Sequence, residues 1–278
     1  MISETGRPEL RVLASADDVA VAAAAEIARG LAEAIAARGV AHWVTTGGSS
    51  APGIYHELGR SPLRESVDWS RVHVWWGDDR FVPSDHPLSN ALPLIQILLT
   101  SGGDEEGGSP EGADVGGEGD GVRIPAGQIH EIPMTEAIAR AGGAAWAAVA
   151  YATVIGELGP AVGPDGLPAF DVFVLGVGPD GHVMSVFPGS AVWDAGASVV
   201  GVPAPTHVEP HVDRVTLHPR LIAAARRVIV LTAGASKAGV LARAWAGADA
   251  RELPVGAAIL PTATWILDEA AAAQLPRS

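Results

Sequence analysis

Between Phe170 and Ser190 the chain reads FDVFVLGVGPDGHVMSVFPGS. Phe170, Val172, Phe173, Val174, Leu175 and Val177 form a nearly continuous apolar run. Such a run suits a strand covered on both faces, as in a parallel sheet with helices packed above and below. It passes directly into a glycine-rich turn that carries Asp180 and His182. In open α/β sheets ligands bind at the carboxyl ends of the strands. His182 is therefore a candidate general base or acid.

Two further stretches have the same form. Val40 to Gly53, VAHWVTTGGSSAPG, reads as a strand, a small-residue turn and a helix that Pro52 opens in its first turn. At Gly47, Gly48 and Ser49 the backbone N–H groups can approach an anion at a helix start, where the dipole favours negative charge. Arg71 to Asn90, RVHVWWGDDRFVPSDHPLSN, gives a strand from Val72 to Trp76, then Asp78, Asp79 and Arg80 at its end. Ser89 or Asn90 launches the next helix. The Arg80 guanidinium matches phosphate or carboxylate geometry, the plain alternative being an ion pair with Asp78. Three polar strand ends, far apart in sequence, make one composite site if their strands are neighbours in a single sheet.

The 278 residues are 48% hydrophobic, enough to bury a full core, and α/β folds of this length are often one domain. A formal charge of −14 argues against nucleic acid or an anionic membrane as partner, because both call for basic patches. The absence of cysteine excludes disulfides and thiolate metal sites and fits a reducing compartment. His207 and His211 are four apart, but Pro210 lies between them, so the helical metal-ligand reading is rejected. No cofactor is called for. The amino-terminal MISETGRPEL lacks an apolar core of signal-peptide length, and no later run reaches the ~18 apolar residues of a membrane span. The expectation is a cytoplasmic protein.

Ser15 and Asp18 form a capping box ahead of an alanine-rich helix that Gly39 ends. A helix is expected over Ala91 to Leu99, another from about Thr135 to Leu158, and a third from Ser236 to Ala246. Ser198 to Val202, Val212 to Leu217 and Arg226 to Thr232 read as strands. Residues 102–121 are almost entirely glycine and acid, the composition of a solvated, mobile loop. With no linker or internal repeat, the alternation favours one α/β domain over residues 1–278, Rossmann-like and doubly wound, with a mostly parallel sheet flanked by helices. Lys237, at a helix start, opposes the helix dipole, which marks it as a site candidate against the alternative of a solvated lysine.

Taken together these residues resemble the 6-phosphogluconolactonases of the pentose phosphate pathway. The resemblance rests on Gly47, Gly48 and Ser49, on WGDDR from Trp76 to Arg80, and on Ser89 with Asn90. It continues through Gly176 to Pro188, Arg214 to Leu217, and Gly234 to Lys237, in the family's order along nearly the whole chain. Asp79 stands where that family usually has Glu, and Val183 and Met184 replace the usual Thr and Ala.

The resemblance implies hydrolysis of a phosphorylated sugar lactone, with His182 activating water and Asp180 and Asp78 positioning it. Arg80 would stabilise the oxyanion or clamp substrate. The phosphate would rest on the Gly47, Gly48 and Ser49 amides, with Lys237 and Arg214 as counter-charges. Two other readings are kept. A glucosamine-6-phosphate deaminase shares the fold and a Gly-rich His segment, but follows its histidine with Asn-Glu-Pro where this chain has SVFPG. A noncatalytic sugar-phosphate sensor would need a DNA-binding unit for which the residues before the first helix leave no room.

Overall fold

The computed structural model describes residues 6–99 and 121–276. Of the Gly/acid-rich 102–121 segment, all but Gly121 lies outside the described residues. In chain order the first half comprises β1 (Glu9–Leu13), α1 (Ala16–Arg38), β2 (Ala41–Thr45), α2 (Ala51–Leu58), β3 (Val72–Trp76), β4 (Asp78–Arg80), α3 (Ala91–Ile97) and β5 (Ile129–His130). There follow α4 (Met134–Ala139), α5 (Gly143–Leu158), β6 (Val172–Gly176), β7 (Val199–Val202), β8 (Arg214–Leu217), α6 (Arg220–Ala224), β9 (Val228–Thr232), α7 (Ala238–Trp245), β10 (Ala263–Asp268) and α8 (Glu269–Ala272).

Seven strands form a parallel sheet in the order β1-β10-β9-β6-β2-β3-β5. Every residue of β2 and β9 is buried, as in strands covered on both faces, including the polar His42, Thr45 and Thr232. From β2 the chain builds outward through β3 and β5, whereas from β6 it builds the other way through β9 and β10. The direction of winding therefore reverses between β2 and β6, and a crevice opens at such a switch point.

A second, three-stranded antiparallel sheet has the order β4-β8-β7. It takes up the Asp78–Arg80 segment expected as a turn, and the two strands expected near 198–202 and 212–217. The helix expected from Thr135 to Leu158 is instead two helices. They part at Ala141 and Gly143, both in the left-handed region at φ 51° and 66°; glycine adopts it without the steric penalty other residues incur. At the start of α1 the N-cap half of the expected capping box is formed: Ser15 Oγ accepts the Asp18 amide at 3.2 Å, and the Asp18 carboxylate takes the Ser15 hydroxyl at 2.6 Å. Among the described residues no helix is long and apolar enough to cross a membrane.

The core between sheet and helices holds Trp43, Trp75, Trp76 and Trp265, all fully buried. On the β2-β3-β5 side the register sets His42 beside His73 and Trp75 beside His130. The His73 and His130 rings stack and share a hydrogen bond between Nδ1 and Nε2 at 2.9 Å, and Trp75 Nε1 donates to His42 Nδ1 at 3.2 Å. Burial, reinforced by the neighbouring imidazoles, pushes the pKa of His42 down to about 3 and that of His130 to about 4; burial also lowers that of His73.

These imidazoles are neutral in the fold but protonate near 6.5 in an unfolded chain. The unfolded state thus binds more protons as pH falls below about 6.5, and the stability present above that value is lost toward the folded pKa values. Through these imidazoles the unfolding free energy from urea titrations should fall between about pH 6.5 and 5, against an opposite contribution from Asp79, whose pKa burial pushes up to about 7. His42→Gln, which keeps an acceptor for Trp75, should flatten that slope. An unchanged slope in the variant would remove the histidine cluster as its source.

Candidate active site

The carboxyl ends of β6, β2 and β3 are adjacent in the sheet. Each carries one of the polar turns singled out in the sequence. They enclose a cleft of about 240 Å³ lined by Gly47, Gly48, Ser49, Asp78, Arg80, His182 and Arg214, together with Asn90 and Met184.

The turn after β2 has Gly48 at φ +79° and leads into α2, whose N-cap residue Ser50 makes no side-chain capping bond. A helix end leaves N–H groups without intrahelical partners, and Ser49 and Ser50 at this one line the cleft. A Cβ at Gly47 would overlap the Asn90 side-chain amide, so glycine there is what admits Asn90. A Cβ at Gly178 would likewise overlap the His182 ring, which lies against that turn.

His182 is one-sixth exposed, with 17% of its side chain accessible. Its Nδ1 lies 2.5 Å from Asp180 Oδ1, which also accepts the His182 backbone N–H at 3.1 Å. Burial acts to raise the Asp180 pKa, but the hydrogen bonds and charge of His182, with His207 adding to them, hold it well below the usual carboxylate range. An ionised carboxylate only accepts, so His182 Nδ1 carries the hydrogen. In the neutral imidazole Nε2 is then left basic.

Asp78 Oδ2 accepts the Ser185 hydroxyl at 2.6 Å, and the Ser185 amide donates to Thr216 Oγ1 at 3.3 Å. The small sheet thereby grips the loop that bears His182. Register places Arg80 of β4 directly across from Arg214 of β8. Arg80 Nη1 donates to the Leu88 carbonyl and to Asn90 Oδ1, at 2.9 and 2.6 Å, and Arg214 Nη2 donates to the Pro210 carbonyl at 3.0 Å. All three acceptors are neutral oxygens. Among the described residues, the Nε of each guanidinium is buried without a hydrogen-bond partner. The expected default of an Asp78–Arg80 ion pair is not what the side chains form. Burial lowers the pKa of Arg214, Asp78 raises it and Arg80 lowers it further, so the three charges sense one another across the cleft.

Lys237 stands apart from this group. It lines an adjoining cavity that shares Ser49, Ser50 and Val177 with the cleft, and it lies close enough to Asp180 for their charges to interact. Asp79 does not line the cleft. Its carboxylate accepts the Arg80 and Asn90 amides, both at 2.7 Å, and the Ser89 hydroxyl at 2.9 Å. Sequence reasoning gave no site role to Asn90 and considered His207 only as a metal ligand. His207 Nε2 lies 3.1 Å from Asp180 Oδ2, and no local motif announces that contact. Among the described residues no cluster of three or more histidine or acidic side chains is arranged to hold a metal.

Residues 14–266 match the family model described as glucosamine-6-phosphate isomerases/6-phosphogluconolactonase. The chain belongs to this family. It is 37% identical to the 6-phosphogluconolactonase of Streptomyces coelicolor, over 98% of this chain and 96% of that protein. It is 34% identical to the 6-phosphogluconolactonase of Mycobacterium tuberculosis, over 96% and 98% of the two chains. A solved structure of the Trypanosoma brucei 6-phosphogluconolactonase superimposes with a TM-score of 0.76 at 26% identity, covering 97% of this chain and 99% of that one. The Trypanosoma brucei enzyme thus shares the overall fold of this chain.

The dependence of Arg80 on Asn90 can be tested at Gly47. Gly47→Ala should displace the Asn90 amide and weaken binding of inorganic phosphate by about tenfold, a loss of roughly 1.4 kcal/mol. Calorimetric titration reads this directly, and wild-type affinity in the variant would show that the Asn90 contact does not organise the cation.

Proposed function

We propose that the protein hydrolyses 6-phospho-D-glucono-1,5-lactone to 6-phospho-D-gluconate in the oxidative pentose phosphate pathway. The observation that carries the reading is one cleft holding a carboxylate-oriented imidazole opposite two guanidiniums without carboxylate partners, inside a family whose similar members bear that name. The substrate is a phosphorylated sugar lactone, and no cofactor enters the mechanism.

His182 Nε2 removes a proton from water as its oxygen attacks C1 of the lactone. The carbonyl π electrons move to oxygen, and a guanidinium, Arg80 or Arg214, stabilises the resulting oxyanion. Collapse of the tetrahedral species breaks the bond between C1 and the ring oxygen. The proton held on His182 passes to that oxygen, leaving a carboxyl group and a free hydroxyl and restoring neutral imidazole. Asp180 fixes the tautomer that makes both transfers possible and stabilises the transient imidazolium, while Asp78 positions the histidine loop through Ser185.

The 6-phosphate sits on the Gly47, Gly48 and Ser49 amides at the start of α2, where helix-end donors favour an anion. Lys237 reaches it from the adjoining cavity. Arg214 then serves whichever end of the substrate Arg80 does not, and Met184 supplies an apolar wall beside the ring.

His182→Ala should lower kcat by about 10² to 10⁴-fold, the range of general acid–base catalysis, with KM little changed. The rate is read as lactone consumed above spontaneous hydrolysis. Wild-type turnover in that variant would remove His182 from the mechanism. Release of ammonia from glucosamine 6-phosphate by the unmodified protein would instead select the deaminase reading.

A further inference from the structure

We propose that His207 is a positioning residue for this reaction, acting through the Asp180 carboxylate on the orientation and basicity of the His182 imidazole. The proposal rests on the lactonase reading above.

Asp180 is shared between two imidazoles. Its Oδ1 holds the Nδ1 and backbone N–H of His182, and its Oδ2 lies 3.1 Å from His207 Nε2. Because the ionised carboxylate has no hydrogen to give, His207 Nε2 is the donor. Both rings pack on Phe187, His182 tilted at 4.9 Å between centroids and His207 edge-on at 5.5 Å. His207 comes from the segment between β7 and β8, whereas Asp180 and His182 follow β6, so the contact joins two separate parts of the chain across the mouth of the site. His207 is not among the residues lining the cleft, and its side chain is 50% exposed. It therefore reaches the reaction only through Asp180.

Two effects follow from this arrangement. The second hydrogen bond restrains rotation of the carboxylate about its last torsion, and so restrains the His182 ring that its Oδ1 holds. It also draws off part of the negative charge that His182 senses, and a proton on His207 draws off more. The other charged groups around this linkage are Lys237, within electrostatic reach of Asp180, Arg214 over the Phe187 ring at 5.5 Å, and Glu209 at the edge of the cleft. His211 of the same segment is turned away, its Nδ1 donating to the Pro205 carbonyl at 2.6 Å. Among the described residues, the side chains that hydrogen-bond Asp180 are those of His182 and His207.

With His207→Ala the full charge of Asp180 falls on His182, which then holds its proton more tightly. The acid limb of kcat/KM should move to higher pH by roughly 0.5 to 1 unit, with kcat about 3- to 10-fold lower and KM nearly constant. His207→Gln keeps an N–H donor at a similar reach and should restore kcat to within about twofold of wild type. A merely structural role would lower activity without moving the limb and without rescue by glutamine, and that result overturns the proposal, as does a wild-type profile in His207→Ala.

Nitrogen-15 chemical shifts of the two imidazoles in the substrate-free wild type give a readout independent of turnover. Their titrations should be coupled, each showing the other's inflection, and independent single titrations would overturn the linkage. A wild type inactive toward the lactone but with coupled titrations would sink the lactonase reading, and with it the positioning role in that reaction, while leaving the linkage of the two imidazoles through Asp180. An active wild type with uncoupled titrations would sink only the role of His207.

Discussion

Asp171, buried just before β6, accepts the His42 amide at 2.8 Å and an Arg38 N–H at 2.6 Å, while its own amide donates to the His42 carbonyl at 2.9 Å. The carboxylate thus ties the end of α1 and the starts of β2 and β6 to one point. The β2–β6 ladder is short, pairing Trp43 with Val172 and Val44 with Phe173. A strand slipped by one residue turns every side chain to the opposite face, so so short a ladder needs an anchor outside itself. The anchor lies at the amino ends of these strands and the chemistry at their carboxyl ends. Whatever fixes the register below also sets how the Gly47 turn stands against the Gly178 turn above.

The electrostatics of the cleft run against the character of the whole molecule. With a formal charge of −14 the protein as a whole repels anions, and it answers this locally by placing Arg80 and Arg214 on directly opposed positions of the small sheet. Like charges across a strand pair are destabilising. Here the opposition is eased by Asp78 and by neutral oxygens from Leu88, Asn90 and Pro210, yet each Nε stays without a partner. An anion between the two guanidiniums would offset their mutual repulsion. The second sheet is what makes this geometry available, since a turn would not hold two arginines in register.

Much of this was legible in the sequence, and what escaped has a physical cause. The apolar runs in β2, β3, β6 and β9 name themselves as doubly covered strands, and polar turns at their ends point to a shared crevice. That Asp78–Arg80 is a strand could not be read from three charged residues, because its partner lies at Arg214–Leu217, far along the chain. Edge strand β1, with Glu9 and Arg11 in its five residues, and the two-residue β5 carry too little pattern to announce themselves. Over Thr135 to Leu158 the alanine-rich pattern reads as one helix, and only the adjacent Gly142 and Gly143 mark where it breaks. Asn90, Ser185 and His207 owe their importance to contacts with Arg80, Asp78 and Asp180, and tertiary contacts of that kind leave no local periodicity.

Asp79 shows how the supporting residues divide the work. A carboxylate one methylene shorter than glutamate has little reach toward the cleft, but it needs none, because two of its three donors are backbone amides, of Arg80 beside it and of Asn90 at the start of α3. Burial, the larger influence, pushes its pKa up to about 7, and the hydrogen bonds from Asn90, Arg80 and Ser89 oppose that rise. By holding the Asn90 amide it sets the angle at which the Asn90 side chain leaves the backbone, and that side chain in turn receives Arg80 Nη1. The guanidinium is therefore aimed by a chain of neutral and backbone contacts and not by a direct ion pair. A carboxylate placed directly on Arg80 would neutralise its charge, whereas Asp79 acts on the cation through Asn90 and leaves that charge unpaired by its own.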